Sequence, residues 1–219
     1  MSELSELHDQ AKGCTACELY ADATQTVFGA GRAGAAMVLV GEQPGDAEDR
    51  AGEPFVGPAG RLLDKALEQA GVRREDVYVT NVVKHFRFRW EGNRRIHRTP
   101  GVQHVRACLP WLQSELVAVG PRLLVTLGAT AAKALLGPSF RLTQHRGELL
   151  EYNDIPLLAT VHPSAVLRGP EERRKEAFDG LVADLATAGP ACGWTCVRSS
   201  PGLSPNRRAA PPIGSCRKP

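Results

Sequence analysis

Two polar motifs in this chain contain residue types that could break a bond to a charged leaving group, and an aromatic loop lies between them. Glu42, in GEQPGD, places a carboxylate directly after an apolar run. Backbone N–H groups in such a Pro-Gly turn can hold the carbonyls of a planar base, and Phe55, in the glycine-lined loop PFVGPAG, offers a stacking face. His162, in HPSAVLR, is placed to stabilise charge on a leaving group, and Ser164 can cap the next helix. The alternatives are a capped turn with solvated acids and a structural histidine.

A second set of residues has the chemistry of a metal site. Cys14 and Cys17 form a C-x-x-C pair, and a histidine and a third cysteine follow at His85 and Cys108. Three thiolates with one imidazole suit an iron–sulfur cluster or a tetrahedral zinc ion, and their spacing does not choose between the two. The alternatives are that Cys108 is a small core residue and that His85 belongs to a basic patch.

The segment 84–106 is strongly basic. It holds seven Lys and Arg residues against one acid, so its net charge is +6, whereas the whole chain carries +3. Phe86, Phe88 and Trp90 are interleaved with the basic residues, a pattern that favours a nucleic-acid surface over a solvated charged loop. Within the segment, residues 94–97 spell RRIH, and the imidazole of His97 is a competent nucleophile when neutral.

The elements that must position these residues alternate between strand and helix. Apolar runs predict strands at 37–40, 77–83, 123–127 and 156–161, and apolar residues at helical spacing predict helices over 2–12, 58–71, 102–116, 129–136 and 170–188. A hairpin-like region is expected around Gly147. The pattern predicts a three-layer α/β/α fold with a central four-stranded parallel sheet, whose ligands bind at the carboxyl ends of the strands.

Composition limits the remaining possibilities. We expect one domain over residues 1–188 and a disordered tail over 189–219, which is rich in Pro, Gly, Ser and Arg. The glycines in G-x-G-x-x-G at 29–34 precede a strand instead of following one, which argues against a dinucleotide site. The sequence has no membrane span or signal peptide, so a cytoplasmic protein is expected.

Taken together, the motifs resemble the uracil-DNA glycosylase superfamily, and in particular its iron–sulfur branch. GE-x-PG, PFVGPAG, N-x-V-K and HPS occur in this order, and the resemblance covers about residues 14–185. Gln43 after Glu42, His85 where thermophilic family 4 enzymes have a cysteine, and the RRIH loop resemble UdgX, the class that cross-links itself to uracil-containing DNA. The resemblance implies a [4Fe-4S] cluster with the ligands Cys14, Cys17, His85 and Cys108.

The resemblance also implies how uracil and DNA are bound. Phe55 would stack on an extruded uracil, and the Asn81 amide would bind its N3–H and O4. His162 would donate a hydrogen bond to uracil O2. The rest of the base pocket would be formed by Gly41, Gln43 and Asp46, with Gln43 also supporting the leaving group. DNA contacts are expected from Arg94, Arg95, Lys84, Arg98, Ser164 and Arg168.

At the sugar, Glu42 would face the cationic C1′, and His97 would form a stable bond to it, so one protein molecule would be used for each uracil. The expected partner is uracil-containing DNA, single-stranded first and double-stranded as an alternative, bound by a monomer. Asn93 stands where the UdgX motif has lysine, which implies weaker DNA affinity. The competing hypotheses are a family 4-like glycosylase that turns over, and a non-catalytic metal-containing DNA-binding protein.

Overall fold

The computed structural model describes residues 2–191 and the two-residue strands Thr195–Cys196 and Cys216–Arg217. The tail predicted over 189–219 lies almost entirely outside the described residues, so its disorder stays a prediction. The last long helix continues to Ala191, slightly beyond the predicted domain boundary. No helix in the described part of the chain is long and apolar enough to cross a bilayer.

Eight α-helices and nine strands lie in the described residues. The helices are α1 (Glu3–Ala11), α2 (Asp46–Ala51), α3 (Pro58–Gln69), α4 (Val102–Val119), α5 (Ala129–Leu136), α6 (Leu142–His145), α7 (Pro163–Arg168) and α8 (Glu171–Ala191). The strands are β1 (Met37–Gly41), β2 (Val77–Asn81), β3 (Phe88–Glu91), β4 (Arg94–His97), β5 (Leu123–Leu127), β6 (Leu149–Tyr152), β7 (Ile155–Thr160), β8 (Thr195–Cys196) and β9 (Cys216–Arg217).

The central sheet has the strand order β2-β1-β5-β7-β6. Its first four strands are parallel, as predicted, and β6 adds an antiparallel fifth strand at the edge beside β7. Asn153 and Asp154 join β6 to β7, with φ values of 50° and 62°. Two consecutive left-handed residues are typical of a type I′ hairpin turn, for which Asn and Asp are suited. The predicted α/β fold is confirmed, with this edge strand added.

Apolar side chains cover both faces of the sheet. Every residue of β1 is buried, and successive residues alternate between two core clusters. Met37 and Leu39 pack in the cluster with α3 and α8, while Val38 and Val40 pack in the cluster with α4 and α5. Strands buried on both faces need continuous apolar runs, which is why the strands were recognisable in the sequence. The same packing fixes the position of the strand ends.

The basic segment forms an antiparallel hairpin of β3 and β4, where the sequence predicted a loop. Phe88 lies opposite His97 and Trp90 lies opposite Arg95. Gly92, with φ of 56°, occupies the first turn position, where glycine avoids the strain that a side chain would meet. Because side chains alternate between the two faces of a hairpin, Phe88, Trp90, Arg95 and His97 share one face.

Candidate active site

Polar residues collect at the carboxyl edge of the sheet. Asn81 ends β2 beside Gly41 at the end of β1, Glu42 follows β1, and His162 follows β7 after one residue. Because these strands are parallel and belong to one sheet, their carboxyl ends lie at the same edge. The structure therefore brings together the residues that the sequence predicted for base binding and cleavage.

Gly41 lies under the point where Asn81 and Phe55 converge. A Cβ atom at position 41 would lie 2.8 Å from Phe55 Cζ and closer still to the Asn81 amide oxygen. Any side chain would therefore fill the space between the amide and the ring. Phe55 itself has φ of 60°, in the left-handed region, and its ring stacks on His162 with 6.1 Å between ring centroids. An amide and two flat rings thus lie around Gly41, and we refer to this group of residues as the pocket.

Glu48 holds the loop that presents Phe55, a role that was not recognised from the sequence. The Glu48 carboxylate accepts hydrogen bonds from Gly57 N at 2.7 Å and from Gly45 N at 3.1 Å. These two glycines lie at opposite ends of the loop that contains α2. A buried carboxylate with two backbone donors fixes the loop strongly, since charge-assisted hydrogen bonds are stronger than neutral ones. The signal was present, because Glu48 stands three residues after Gly45, as in a capping box.

Glu42 lies between the pocket and the hairpin. Its Oε2 accepts a 2.5 Å hydrogen bond from Thr130, in the first turn of α5, a partner that no sequence motif indicated. Its Oε1 lies 3.4 Å from His97 Nε2. The carboxylate is 21% exposed and the His97 side chain 48% exposed, so solvent and a ligand can reach both groups. This pair connects the sheet edge to the RRIH strand.

The surroundings of His97 favour its neutral form. Desolvation lowers its pKa, the attraction of Glu42 opposes this, and the positive charge of Arg168 adds to the lowering. The net result is a pKa below the ordinary histidine value. Near neutral pH the imidazole therefore holds an unprotonated nitrogen, which a nucleophile requires.

His162 is also neutral and has a defined tautomer. Its Nδ1 accepts a hydrogen bond from Ser164 N at 3.1 Å, which is the N-cap interaction of α7. A neutral ring that accepts at Nδ1 has its proton on Nε2. Burial, aided by the positive charge of Arg168 and by His97 when that ring is protonated, lowers the pKa of His162 to about 4. Nε2–H is thus a neutral hydrogen-bond donor beside Phe55.

Gln43 holds the base of the hairpin. Its amide nitrogen donates to the carbonyls of Arg87 and Arg98, both at 3.1 Å, and its amide oxygen accepts from Arg87 N at 3.1 Å. Gln43 was expected to help hold uracil through the backbone around it, and the hydrogen-bonding groups of its side chain are used by the hairpin. A contribution of Gln43 to the pocket therefore falls to its backbone.

Arg95 was expected to hold the loop and to contact phosphate, and the structure corrects the second of these expectations. Its side chain is 6% exposed and forms ion pairs with Asp46 at 2.5 Å and Asp49 at 2.6 Å. The guanidinium also lies over the rings of Phe86 and Phe88, at 5.5 and 5.1 Å from their centroids. Arg95 thus attaches the hairpin to α2.

Asp46 was predicted to bind uracil, and its carboxylate is instead engaged by two arginines. Arg95 approaches one oxygen and Arg50 donates to the other at 3.0 Å. Partial burial raises the pKa of Asp46, but the hydrogen bonds from Arg50 and Arg95 outweigh it and the net pKa is lowered. The carboxylate is charged and supports the hairpin.

Lys84 was also expected to contact DNA, but it is fully buried. Its Nζ forms a short ion pair with Glu115 and donates to Thr80 Oγ1 at 2.7 Å and to the Asn81 carbonyl at 2.8 Å. Tyr78 and Gly29 donate to the same Glu115 carboxylate. Lys84 therefore cannot reach phosphate, and it holds the backbone of Asn81 from below.

The other predicted DNA-binding residues lie near the surface of this face. Arg94, Arg98 and Arg168 are exposed, and Ser164 is partly buried at the start of α7. Arg168 is close enough to influence the pKa values of both His97 and His162. These positions are compatible with contacts to a phosphate backbone, and the contacts themselves stay predictions.

The three cysteines approach one another where the turn after α1 meets α4, the helix that contains Cys108. Cys17 packs beside buried Cys108, whose pKa burial raises to about 11, with Cys17 and Cys14 adding electrostatically to the rise. Backbone N–H of Lys84 donates to Cys108 Sγ at 3.4 Å, and Trp111 donates to Cys14 Sγ at 3.2 Å. Donors aimed at thiol sulfurs suit cluster ligands.

His85 is less clearly connected to the thiols. Its Nε2 lies 3.0 Å from Thr26 Oγ1, and its buried Nδ1 has no hydrogen-bond partner among the described residues. Within the described part of the chain, no three His, Cys, Asp or Glu side chains converge as ligands of a single metal ion would. Three thiols and one imidazole nitrogen are nevertheless donor types that iron–sulfur clusters use.

Comparison with known sequences identifies the class to which this fold and pocket belong. Residues 28–186, well over half of the chain, match the family described as the Uracil DNA glycosylase superfamily. The chain belongs to that superfamily, as the sequence motifs predicted.

Its relatives include several type-4 uracil-DNA glycosylases. The enzyme from Pyrobaculum aerophilum is 40% identical over 179 residues, which are 78% of this chain and 88% of the relative. The Thermotoga maritima enzyme is 40% identical over 169 residues, 76% and 84% of the two chains. The Archaeoglobus fulgidus enzyme is 35% identical over 201 residues, 88% and 95%. These relatives fit the family 4-like alternative better than the predicted UdgX class, which they do not show.

Proposed function

We propose that this protein removes uracil from DNA by cleaving the N-glycosidic bond. The observation that carries the proposal is the convergence of the Asn81 amide and the Phe55 ring over Gly41, at the carboxyl edge of the sheet. The names of the type-4 relatives support the same activity. We further propose that the protein acts as a monomer and takes single-stranded DNA in preference to a duplex.

The pocket has the groups needed to distinguish uracil from cytosine. The Asn81 side chain has one acceptor and two donors, which match the N3–H and O4 of uracil. Cytosine presents an acceptor and an amino group at these positions, so it would leave the pocket amide mismatched. Phe55 would stack on the extruded base, whose removal from a duplex costs a few kcal/mol.

Cleavage moves electrons from the C1′–N1 bond onto uracil and leaves a cationic sugar. His162 would donate its Nε2 proton in a hydrogen bond to uracil O2, stabilising the leaving anion without transferring the proton. Glu42 would stabilise the positive charge at C1′ from the opposite side. In the hydrolytic outcome, water adds to C1′ and its proton passes to Glu42, giving free uracil and an abasic site. This outcome fits the relatives.

A second candidate differs only in the fate of the sugar. His97 Nε2 lies 3.4 Å from Glu42, and its lowered pKa keeps the imidazole neutral. An imidazole nitrogen would form a bond to C1′ in place of water, and the imidazole proton would pass to Glu42. The protein would then stay attached to DNA after one turnover. The position of His97 favours this candidate, while the relatives favour hydrolysis.

One experiment decides between these outcomes. A labelled uracil-containing oligonucleotide is mixed with the protein, released uracil is quantified by chromatography, and the products are run on a denaturing gel. Free abasic DNA supports hydrolysis, whereas a heat- and SDS-stable shifted band supports capture. Absence of both uracil release and a shifted band would contradict the proposed function and favour a non-catalytic DNA-binding protein.

Replacing the proposed nucleophile sharpens the result. If capture occurs, His97→Ser should remove the shifted band and leave uracil release measurable, because the pocket residues are unchanged. His145→Ser is the matched control, since His145 is 44% exposed and His97 48% exposed. A shifted band that persists in His97→Ser would assign the attachment to another residue.

We propose that Cys14, Cys17, Cys108 and His85 hold a [4Fe-4S] cluster. The support is the grouping of three thiols, the N–H donors to two of them and the buried, unpartnered Nδ1 of His85. Such a cluster would cross-link α1, α4 and the turn after β2 and thus stabilise the fold. Iron and acid-labile sulfide in the purified protein, with visible absorption, would support it. Stoichiometric zinc without iron would contradict it.

A further inference from the structure

A row of aromatic rings extends from the candidate active site to solvent. His97 and Phe86 lie 6.2 Å apart between ring centroids, and Phe86 stacks on Phe88 at 5.2 Å. Phe88 meets Trp90 edge to face, with 5.5 Å between centroids and 88° between planes. Phe86 is buried, whereas Trp90 is 64% exposed, so the row ends in a large indole that faces solvent.

The hairpin register places Trp90 on the same face as His97. His97 lies opposite Phe88, and Trp90 is two residues further along β3. Two residues of a strand span roughly 7 Å, about twice the rise between stacked bases of one DNA strand. Because an extruded nucleotide is no longer stacked on its neighbour, the two lie further apart than the stacked rise, and the indole is about one such nucleotide away from a sugar held beside His97 and Glu42.

The charged side chains of the hairpin indicate which kind of molecule binds over the Trp90 indole. Arg89 and Arg94 are on the hairpin surface, and by strand alternation they belong to the opposite face from Trp90. Glu91, the single acid of the hairpin, is paired with Arg89. A single strand that follows the hairpin edge can turn its bases toward Trp90 and its phosphates toward the arginines. An aromatic surface beside cationic side chains is typical of single-strand binding.

We propose that Trp90 is a stacking platform for the nucleobase next to the extruded uridine. This inference rests on the proposed function, because the site beside His97 and Glu42 defines the position of the uridine. The occupant is a base of single-stranded DNA, since both faces of a base within a duplex are covered by its neighbours. Trp90 thus favours unpaired DNA on one side of the uracil.

The test removes the Trp90 indole by mutation and the neighbouring base by a base-free spacer, each alone and then both together. Uracil release is measured with protein in excess, using oligonucleotides in which a base-free spacer replaces the nucleotide on the 5′ or 3′ side of the uridine. Trp90→Ala should raise the half-saturating protein concentration about 5- to 100-fold on the complete strand. In the wild type, one of the two spacers should raise the half-saturating protein concentration by about the same factor as Trp90→Ala does. In Trp90→Ala, the same spacer should raise it further by less than about twofold. Trp90→Phe, which keeps a ring, should retain most of the affinity.

Two comparisons distinguish base stacking from a structural role of the indole. Val117→Ala changes another exposed apolar residue, on α4, and should behave as the wild type. If Trp90→Ala weakens binding equally with both spacers and with the complete strand, the indole supports the hairpin or the DNA backbone and the proposal is wrong. No change in Trp90→Ala would also overturn it.

The proposed function can fail independently of the platform. If the wild type releases no uracil from any strand, the proposed glycosylase function is wrong. Binding to the same strands can then be followed by quenching of tryptophan fluorescence. Quenching that is lost in Trp90→Phe and weakened by one spacer would support Trp90 as a stacking platform. Quenching that is the same with and without the spacers would contradict this role.

Discussion

The sheet-edge pocket and the β3–β4 hairpin meet at Glu42 but are built in different ways. In the pocket, Asn81 and Gly41 belong to hydrogen-bonded central strands, and a fully buried ion pair supports the turn behind Asn81. The hairpin is half exposed and is held by Gln43 at its base and by Arg95 along its length. The pocket therefore has the rigidity needed to select a base, while the hairpin can adjust to the strand that presents it.

This difference assigns the release of uracil and the fate of the sugar to different parts of the site. The pocket contributes the groups that would bind and release uracil, and the hairpin contributes His97, which would decide the fate of the sugar. A change that weakens the hairpin should alter the fate of the sugar more than the release of uracil. A change beneath the pocket should affect both, because the hairpin packs on the same sheet edge.

The largest expected effect lies beneath the pocket. Lys84→Met would leave the Glu115 carboxylate buried without its cation, and breaking such a pair typically costs about 3–5 kcal/mol. We expect the free energy of unfolding in urea to fall by about this amount. Lys65→Met, at an exposed position of α3, is the control and should change it little. A loss below about 1 kcal/mol for Lys84→Met would show that the ion pair does not support the pocket.

Arg95→Met tests the attachment of the hairpin. It removes the partner of Asp49, which is fully buried, and of Asp46, which is 43% exposed and can be rehydrated. The expected loss of unfolding free energy is about 1.5–3 kcal/mol, the range for hydrogen bonds to charged groups. Uracil release should decline less than any His97-dependent cross-link. Equal loss of the two activities would contradict the division between pocket and hairpin.

The sequence revealed the pocket more completely than its support. Apolar runs located the parallel strands, and the polar residues after them located Glu42, Asn81 and His162. Lys84 looked like part of a basic patch because its partner, Glu115, is 31 residues away. A usable signal existed, since Glu115 stands between Leu112 and Leu116 on the apolar face of α4, where an acid requires a buried partner.

The hairpin was harder to predict for a physical reason. Phe88, Arg89 and Trp90 alternate as in a half-buried strand, but β3 has only four residues, and β4, with the adjacent Arg94 and Arg95, has no such alternation. Its position depends on contacts with Asp46, Asp49 and Gln43, which precede it by 44 to 49 residues. No local pattern distinguishes an arginine in such a contact from one that meets phosphate.

The pH dependence of uracil release tests the neutral state of His162. Burial lowers its pKa to about 4, while an unfolded histidine titrates near 6.5. Between these values the unfolded chain binds more protons, so this group's contribution to stability is present above 6.5 and is lost as the pH falls toward 4. In His97→Ser, uracil release should therefore show no decline with a midpoint near 6.5. Such a decline, absent from His162→Gln, would mean that His162 is not held neutral.

The smallest effect is expected at the rim of the hairpin, where Arg94 is exposed and Arg95 is not. Arg94→Ala should weaken binding to single-stranded DNA modestly, and the slope of log affinity against log salt should become shallower by about 0.7, the value for one phosphate contact. Stability should not change, because no buried charge loses its partner. Arg122→Ala is the matched control, since Arg122 is exposed just before β5, at the opposite edge of the sheet. If both variants change the slope equally, the effect comes from overall charge, and the hairpin has no specific role in holding the strand.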